Sequence, residues 1–466
     1  MSSTNKNNIT INIENLESPV LNFLRANKNE YSFLTEINIS CLDNSYYKPD
    51  EFNREKNNKD FSILSINIRS MNKNFEAFKH FYYSINYLFD VKCISETWED
   101  AKMPLSENSL YNLSSYKIIS QPRVGSTGGG VAIYILDKFV FKAKKTFCKA
   151  NKHIETLCIE ILNKTGKPFL ISSLYRPPCG KQINFQNSLR AIISQMSIQN
   201  KHIFFAGDLN LDAMCYEKFL NTKNFFNLLL EFNIISTIFK PTRITKTTSS
   251  SIDNILTNNF LDTYFESGIF ISDFSDHFPI YHIAHGVSCN DGNKKVFVTK
   301  RNLCIKSLDK LKKKLYEERW EDVYSSADPN SAFDNFLNTF QNVYDNVCPK
   351  LTTEIKNKQL KNPWMTNNLI KSSKRKQKLY IKFLKSKKEI DENAYKSYKK
   401  FYQNNLKQAK IKYYSNQLDK NKFDIKKTWS ILNEVTGREK KKLSCLPKQV
   451  IINNKTITSE KNMSRI

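Results

Sequence analysis
The sequence predicts an α/β protein in which a two-sheet α/β sandwich is followed by a basic, mostly helical extension. Three observations predict it. Short apolar runs succeed one another up to residue 285 with few helical stretches between them, which favours two stacked sheets over a doubly wound one. Five of those runs end in acidic, amide, histidine or phenol side chains, and in a layered α/β fold strand ends gather at one rim. The charge is concentrated late. Of a net +27, residues 351–466 hold about 30 Lys and Arg against about 9 Asp and Glu, while the first 300 residues carry only about +6.

At 466 residues the chain can bury a large core, and its 40% hydrophobic and 25% charged content is that of a soluble globular protein. No apolar run reaches the roughly 18 residues that cross a bilayer, and the polar start from Met1 to Thr10 carries no signal-peptide core. No membrane partner is expected. The ten cysteines, from Cys41 to Cys445, include no C-x-x-C pair. That argues against a zinc knuckle or a secreted disulfide framework, and for reduced thiols inside a cell. Cys93, Cys158 and Cys215 sit among apolar residues and read as core filler.

Residues 1–58 are rich in Asn, Ser and Lys, with one apolar patch from Val20 to Leu24, and read as a disordered tail. The sandwich domain is expected over 59–285. It opens with an alternating strand, Phe61–Asn67, then an amphipathic stretch, Asn74–Leu88, with Phe75, Phe78, Phe81, Tyr82 and Ile85 at helical spacing. A second strand, Val91–Ser95, stops at Glu96-Thr97-Trp98. Tyr116–Ser120 and Val131–Leu136 flank a glycine-rich loop, and His153–Leu162 and Pro168–Tyr175 read as a strand pair. Phe185–Ile198 reads as a helix, Ile203–Ala206 as a buried strand, and Tyr216–Glu231 as a further helix. Ser251–Leu256 and Gly268–Ser272 complete the strands before Ser275-Asp276-His277-Phe278-Pro279-Ile280.

A polar linker is expected over 286–300, and residues 301–466 read as a basic helical region. Pro363-Trp364-Met365-Thr366 punctuates it, with Thr366 placed as a helix N-cap. Beyond it Tyr395, Tyr398, Tyr402, Leu406, Ala409 and Tyr413 recur every three or four residues, an amphipathic helix ringed by lysines. Polyanion binding is the natural reading of this region, a merely solvated lysine face the plain one. Lys374, Arg375 and Lys376 head its densest basic run, which is also a candidate nuclear address.

The chemistry centres on Gly207-Asp208-Leu209-Asn210. Gly207 lets the backbone turn where the strand stops, so that Asp208 and Asn210, two apart, face a cleft. A carboxylate and an amide so placed suit a phosphate: one handles a proton or a metal-bound water, the other donates to an oxyanion. Gly-Asp and Asn are also ordinary turn residues. The reading gains weight from the other strand ends: Asn67, Glu96, Tyr175, and Asp276 with His277.

Six motifs, Asn67-Ile68-Arg69, Ser95-Glu96-Thr97-Trp98, Tyr175-Arg176-Pro177-Pro178, Gly207-Asp208-Leu209-Asn210, Ile252-Asp253-Asn254 and Ser275-Asp276-His277, occur in one order. That order resembles the endonuclease/exonuclease/phosphatase superfamily, which includes the abasic-site repair endonucleases. The Glu-Thr-Trp and Tyr-Arg-Pro-Pro forms resemble more narrowly the endonuclease domains of non-LTR (LINE-type) retrotransposons. The basic Pro363-Trp364 region resembles the connector that leads to reverse transcriptase in those polyproteins. The resemblance implies a four-layered α/β sandwich, two mainly antiparallel sheets flanked by helices.

It also implies roles. Glu96 resembles the principal Mg²⁺ ligand, with Mn²⁺ as the other candidate, assisted by Asn67 and supported by Asp276. His277 resembles the histidine facing the scissile phosphate, Asp253 its orienter, and Asp208 the group that positions or deprotonates the attacking water. Asn210 and Tyr175 would donate to phosphate oxygens, while Arg69 and Arg176 would contact nucleic acid. A further Thr or Ser contact is expected within Thr242–Ser251.

The function this implies is a Mg²⁺-dependent DNA endonuclease that nicks one strand and leaves a 3′-hydroxyl to prime reverse transcription, acting in the nucleus. Its partners would be DNA and, through the basic region, the element's RNA. No Asp-Asp pair in a strand-turn context follows residue 300, so the chain is expected to be a piece of a longer polyprotein without its polymerase. The alternatives are a repair endonuclease or phosphatase of the same superfamily, and an inactive nucleic-acid-binding remnant.

Overall fold
The computed structural model describes residues 19–26, 39–57, 59–123, 125, 128–163, 166–259, 264–287, 297–301, 303, 305–354, 362–437, 450–452 and 455–457. The chain forms two compact units, one of Met1–Asn290 with Leu360–Ile466 and one of Asp291–Gln359. The basic region, read from sequence as one stretch over 301–466, is therefore shared between them. Most of the expected linker, and residues 438–449 near the end of that region, lie outside the described residues.

In the first unit the chain runs through helix α1 (Pro19–Ala26) and strands β1 (Ser45–Tyr47) and β2 (Phe61–Asn67). Helix α2 (Met71–Ser84), β3 (Val91–Ser95), β4 (Tyr116–Gln121), β5 (Val131–Leu136), β6 (Phe141–Ala143) and β7 (Lys149–Ala150) follow. Next come β8 (Glu155–Ile161), β9 (Phe169–Tyr175), α3 (Gln182–Ser197), β10 (His202–Asp208) and α4 (Leu220–Glu231). The short strands β11 (Ile235–Ser236), β12 (Arg243–Ile244) and β13 (Ser249–Ser250) lead to β14 (Asp253–Thr257), β15 (Phe265–Phe270) and β16 (Ile280–Ala284).

Two seven-stranded sheets result. One has the order β1-β15-β16-β2-β3-β5-β4; the other runs β11-β14-β10-β9-β8-β6, with β7 added on β8. Both are mixed, and most pairings are antiparallel; the parallel ones are β1 with β15, β2 with β3, and β10 with β9. Phe61 of the first sheet meets Phe169 and Phe204 of the second at ring-centroid distances of 4.6 and 5.7 Å, so these residues form the seam between the sheets. Their neighbours Leu170, Ile203 and Phe205 point the other way, into a second core with Phe185, Leu189 and Phe225 of α3 and α4. Every residue of β2, β8 and β9 is buried, because helices cover the outer faces as the other sheet covers the inner ones.

The expectation of a disordered tail over 1–58 fails for its described part. Val20, Leu21 and Leu24 of α1 are buried against the α3–α4 core, and β1 extends the first sheet in register with Gly268–Phe270. Buried Asn44 donates to the carbonyls of Thr237 and Ser267 and accepts from the Phe239 N–H. Three partners from distant chain make this polar segment ordered, and composition does not record such bonds. Residues 1–18 and 27–38 lie outside the described residues.

Helices α8 (Asn367–Ser386) and α9 (Glu389–Lys420), and α10 (Ile425–Thr436), also belong to the first unit. Thr366 caps α8 by accepting from the Leu369 N–H, as its place in the sequence predicts. Tyr380, Ile381, Phe383 and Leu384 of α8 and Tyr395 of α9 join the sandwich core; of the aromatic stripe read along α9 only Tyr395 reaches it.

The second unit pairs β17 (Phe297–Arg301) antiparallel with β18 (Lys350–Glu354). Between them lie α5 (Ile305–Glu317), α6 (Glu321–Tyr324) and α7 (Pro329–Val347). Asp328 caps α7, and Trp320, Phe336, Phe340 and Tyr344 stack successively along it. Among the described residues no helix is long and apolar enough to cross a membrane.

Candidate active site
Strands β2, β3, β9, β10 and β14 deliver their C- or N-terminal residues to one rim. Asn67 closes β2, Glu96 follows β3, Tyr175 and Asp208 close β9 and β10, and Asp253 opens the antiparallel β14. Asp208 lies opposite Tyr175 on one side and Asp253 on the other. Pairing register, not chain proximity, thus brings these groups together.

Gly207 is still inside β10, paired with Leu174, so it does not serve as the turn that the sequence suggests. A Cβ there would lie 1.8 Å from the Leu174 carbonyl oxygen. Glycine is needed for close strand approach, which sets the distance between Asp208 and Tyr175. The turns use other residues. Arg69, Ser70, Glu96, Trp98 and Asn210 all have positive φ, between 47° and 88°. Left-handed backbone at five non-glycine positions around one rim is strain that the surrounding packing must hold.

The polar groups form two connected sets. In the first, the Asn67 amide nitrogen donates to Glu96 Oε1 and to Asp208 Oδ2, both at 2.9 Å. Glu96 Oε1 also accepts from the Tyr175 hydroxyl at 3.3 Å, and Oε2 from the Trp98 indole at 3.2 Å. Asp208 accepts from the Asn210 backbone N–H at 2.9 Å and from its side-chain amide at 3.3 Å. In the second set, His277 Nδ1 sits 2.9 Å from Asp253 Oδ2, which also accepts from the Thr242 hydroxyl at 2.6 Å. Thr242 is the residue in the Thr242–Ser251 stretch that enters the site, through Asp253. The sets meet at Asp208: an oxygen of Asp208, one of Asp253 and a nitrogen of His277 lie within 4.8 Å of one another.

Burial pushes the Asp208 carboxyl up to about 7, opposed by His277 and reinforced by Asp253 and Glu96. Burial pulls the His277 imidazole down, but Asp253 and Asp208 outweigh it and hold it up to about 9. Asp276 pairs with Arg69 at 2.7 Å and Arg243 at 2.8 Å. Burial raises its carboxyl, yet His277 and the two guanidiniums hold it below the ordinary value.

Several residues stand differently from their sequence-based roles. The Arg176 guanidinium is buried and spends three of its N–H groups on the carbonyls of Leu209, Gly180 and Asn210, so it braces the Asp208 loop. Asn210 donates to the Arg176 carbonyl and to Asp208, which makes it a brace too. Asn67 turns its nitrogen to the acids while its oxygen accepts from the Arg69 N–H, so it presents no oxygen to a cation in this arrangement. Asp276 faces two arginines, an ion-pair position more than a ligand's. Lys376 is tied to Asp273 at 2.7 Å within the docking seam, Lys374 to Asp50 at 2.9 Å, and Arg375 lies over the Tyr398 ring.

Two residues escaped the sequence reading. Arg243 shares Asp276 with Arg69; Arg123 lies over Tyr175 and pairs with Glu155 behind it. Both come from segments with no strand-end signature. Trp98, quoted only as part of a motif, holds Glu96.

A profile described as the endonuclease/exonuclease/phosphatase family matches residues 63–277. The matched span runs from inside β2 to His277 and so encloses the whole polar rim. Among solved structures, the endonuclease domain of TRAS1, a telomere-specific non-LTR retrotransposon, is similar at 13% identity and a TM-score of 0.39, covering 48% of this chain and 98% of that one. The abasic-site (AP) endonuclease LMAP from Leishmania major is similar at 13% identity and 0.41, covering 56% and 98%. The APE2 catalytic domain from Xenopus laevis is similar at 15% and 0.39, covering 50% and 94%. No curated protein matches the chain in sequence.

Members of the family use divalent metal ions, and the donor set here fits one. Glu96, Asp208 and Asp253 bring three carboxylates together with one imidazole, an excess of hard oxygen and negative charge.

Proposed function
We propose that this chain is a Mg²⁺-dependent DNA endonuclease that hydrolyses one phosphodiester of a duplex and leaves a 3′-hydroxyl, as target-primed reverse transcription of a non-LTR retrotransposon requires. The observation that carries the reading is the meeting of the Asn67-linked pair Glu96 and Asp208 with the His277–Asp253 pair, from five separate chain segments. Glu96 is the residue to hold the ion, Mg²⁺ or Mn²⁺. The bound ion neutralises phosphate charge and acidifies water.

The chain's own residues do the rest. Asn67 keeps Glu96 and Asp208 apart at fixed spacing. Asp208, buried and braced by Asn210, orients the attacking water and accepts its proton. Asp253 holds His277 through Nδ1, leaving Nε2 to meet the charge that builds on the phosphate. Tyr175 positions Glu96 through its hydroxyl. Arg69 and Arg243 keep positive charge at the rim with Asp276 between them. The narrower retrotransposon reading rests on the Glu96-Thr97-Trp98 and Tyr175-Arg176-Pro177-Pro178 forms and on the basic helices that follow.

The test is conversion of supercoiled plasmid to the nicked circle in Mg²⁺, followed by direct extension of the new end by a DNA polymerase. Nicking with an extendable end is expected. Release of phosphate from soluble phosphomonoesters, with the plasmid left intact, would overturn the reading.

A further inference from the structure
We infer that the cleft between α2 and the basic helix α9 holds a short unpaired stretch of DNA beside the scissile phosphate. The inference rests on the reading of the rim as a DNA-cleaving site, and deepens it by naming the form of the substrate. The cleft has a volume of about 900 Å³ and opens on the rim at Arg69, Trp98 and Asp276. Lys73, at the start of α2, lines one wall; Lys399, Lys407 and Lys410 of α9 line the other. This volume is that of a small-molecule site, about 300–1,000 Å³. A volume of that size suits a few nucleotides of one strand.

The lining chemistry suits a single strand. Six Lys and Arg side chains face three carboxylates. Lys376 is matched by Asp273, Arg69 by Asp276, and Lys410 by Glu76 at 3.5 Å. Lys73 and Lys407 have no carboxylate partner among the described residues, while Lys399 donates to the Asp273 backbone carbonyl at 2.6 Å and lies 3.9 Å from its Oδ2, sharing that acid with Lys376. Burial lowers the Lys399 amine against Asp273, and Lys376 and Lys73 lower it further. Like charges crowded in a cleft are relieved by a phosphate chain passing between them. At the rim end the Trp98 indole is 46% exposed, a face on which an unpaired base can stack. The basic run at 374–376, which the sequence favours for nucleic acid, is instead engaged in packing, and the cleft cations without a carboxylate partner among the described residues are Lys73 of α2 and Lys407 of α9.

The experiment uses the full chain and its Lys73→Gln/Lys407→Gln variant, both changes at exposed positions. Anisotropy of a labelled oligothymidine, the matching oligouridine and a blunt duplex is read across a salt series, and nicking is compared on a fully paired substrate and one frayed at one side of the nick. The variant is expected to bind oligothymidine on the order of 10-fold more weakly, with a log K against log salt slope shallower by about 1.4, two contacts at about 0.7 each. Duplex affinity should change by less than about 2-fold, and the frayed substrate should be nicked faster by the wild type only. Unchanged oligothymidine affinity and slope in a variant that melts like the wild type would overturn the inference. So would tighter binding of oligouridine than of oligothymidine. If no DNA is nicked while the oligothymidine loss appears as expected, the cleft is supported and the reading of the rim falls.

Discussion

Lys376 of α8 and Asp273, just beyond β15, meet at 2.7 Å with both side chains nearly buried. Tyr395 donates to the other Asp273 oxygen at 3.0 Å and Lys399 to its backbone carbonyl. One aspartate of the sandwich therefore anchors both basic helices. Burial raises that carboxyl, but Lys376 and Lys399 more than offset it and hold it below the ordinary value.

Asp273→Ala removes the acid and leaves two lysines without their counter-charge. Breaking a buried pair from one side costs about 3–5 kcal/mol. Urea denaturation should show a loss of that order, and limited proteolysis should cut first between the sandwich and α8. A variant as stable as the wild type would mean that the seam is held by its aromatic contacts alone.

Arg176→Ala separates a brace from a DNA contact. Three carbonyl acceptors lose a charged donor, each bond to a charged group being worth about 1.5–3 kcal/mol, so stability and nicking should both fall. The salt slope of duplex binding should stay that of the wild type. A slope reduced by about 0.9 would return Arg176 to the DNA surface.

Glu96→Ala and His277→Ala should each lower nicking by about 10²–10⁴-fold in a protein that still gives a folded circular dichroism spectrum. Glu96, half-buried in the loop after β3, should leave the melting profile close to the wild type, whereas His277, buried against Asp253 ahead of β16, should lower the melting point as well. Near-wild-type nicking by either purified variant would remove it from the site.

His282 makes stability depend on acid. It is fully buried in β16 with Nδ1 against the Ser267 hydroxyl at 2.8 Å, and burial lowers it to about 3, helped by His285. Between that value and the unfolded value near 6.5 the unfolded chain binds the proton and the folded chain does not, so stability falls as pH falls through that window. At pH 5 the loss from this one group is about 2 kcal/mol. His282→Gln should flatten the denaturation midpoint between pH 7 and 5; an unchanged dependence would show that His282 is not the source.

Much of the rim was legible because its signals are local. Phe61–Asn67, Val91–Ser95 and Val131–Leu136 coincide with β2, β3 and β5, since apolar runs and the polar residue that stops them depend on near neighbours. The order of six motifs then marked Glu96, Asp208, Asp253 and His277, which the structure brings to one place. Arg176, Asn210 and Lys376 were read as ligand contacts because a charge or amide in a sequence looks the same whether it faces solvent or a carbonyl.

By itself, then, the sequence determined the long buried strands around the rim and the polar residue that stops each of them, because backbone pattern and side-chain polarity act over a few residues, whereas β1, inside the stretch read as a tail, escaped it. Only the tertiary structure decided which polar groups remain free. Strand register places Asp208 between Tyr175 and Asp253, and the docking of α8 and α9 neutralises Lys376 while leaving Lys73 and Lys407 without carboxylate partners among the described residues. The reason is that hydrogen-bond and ion-pair partners are chosen among atoms brought close by packing, and that choice has no trace in linear spacing.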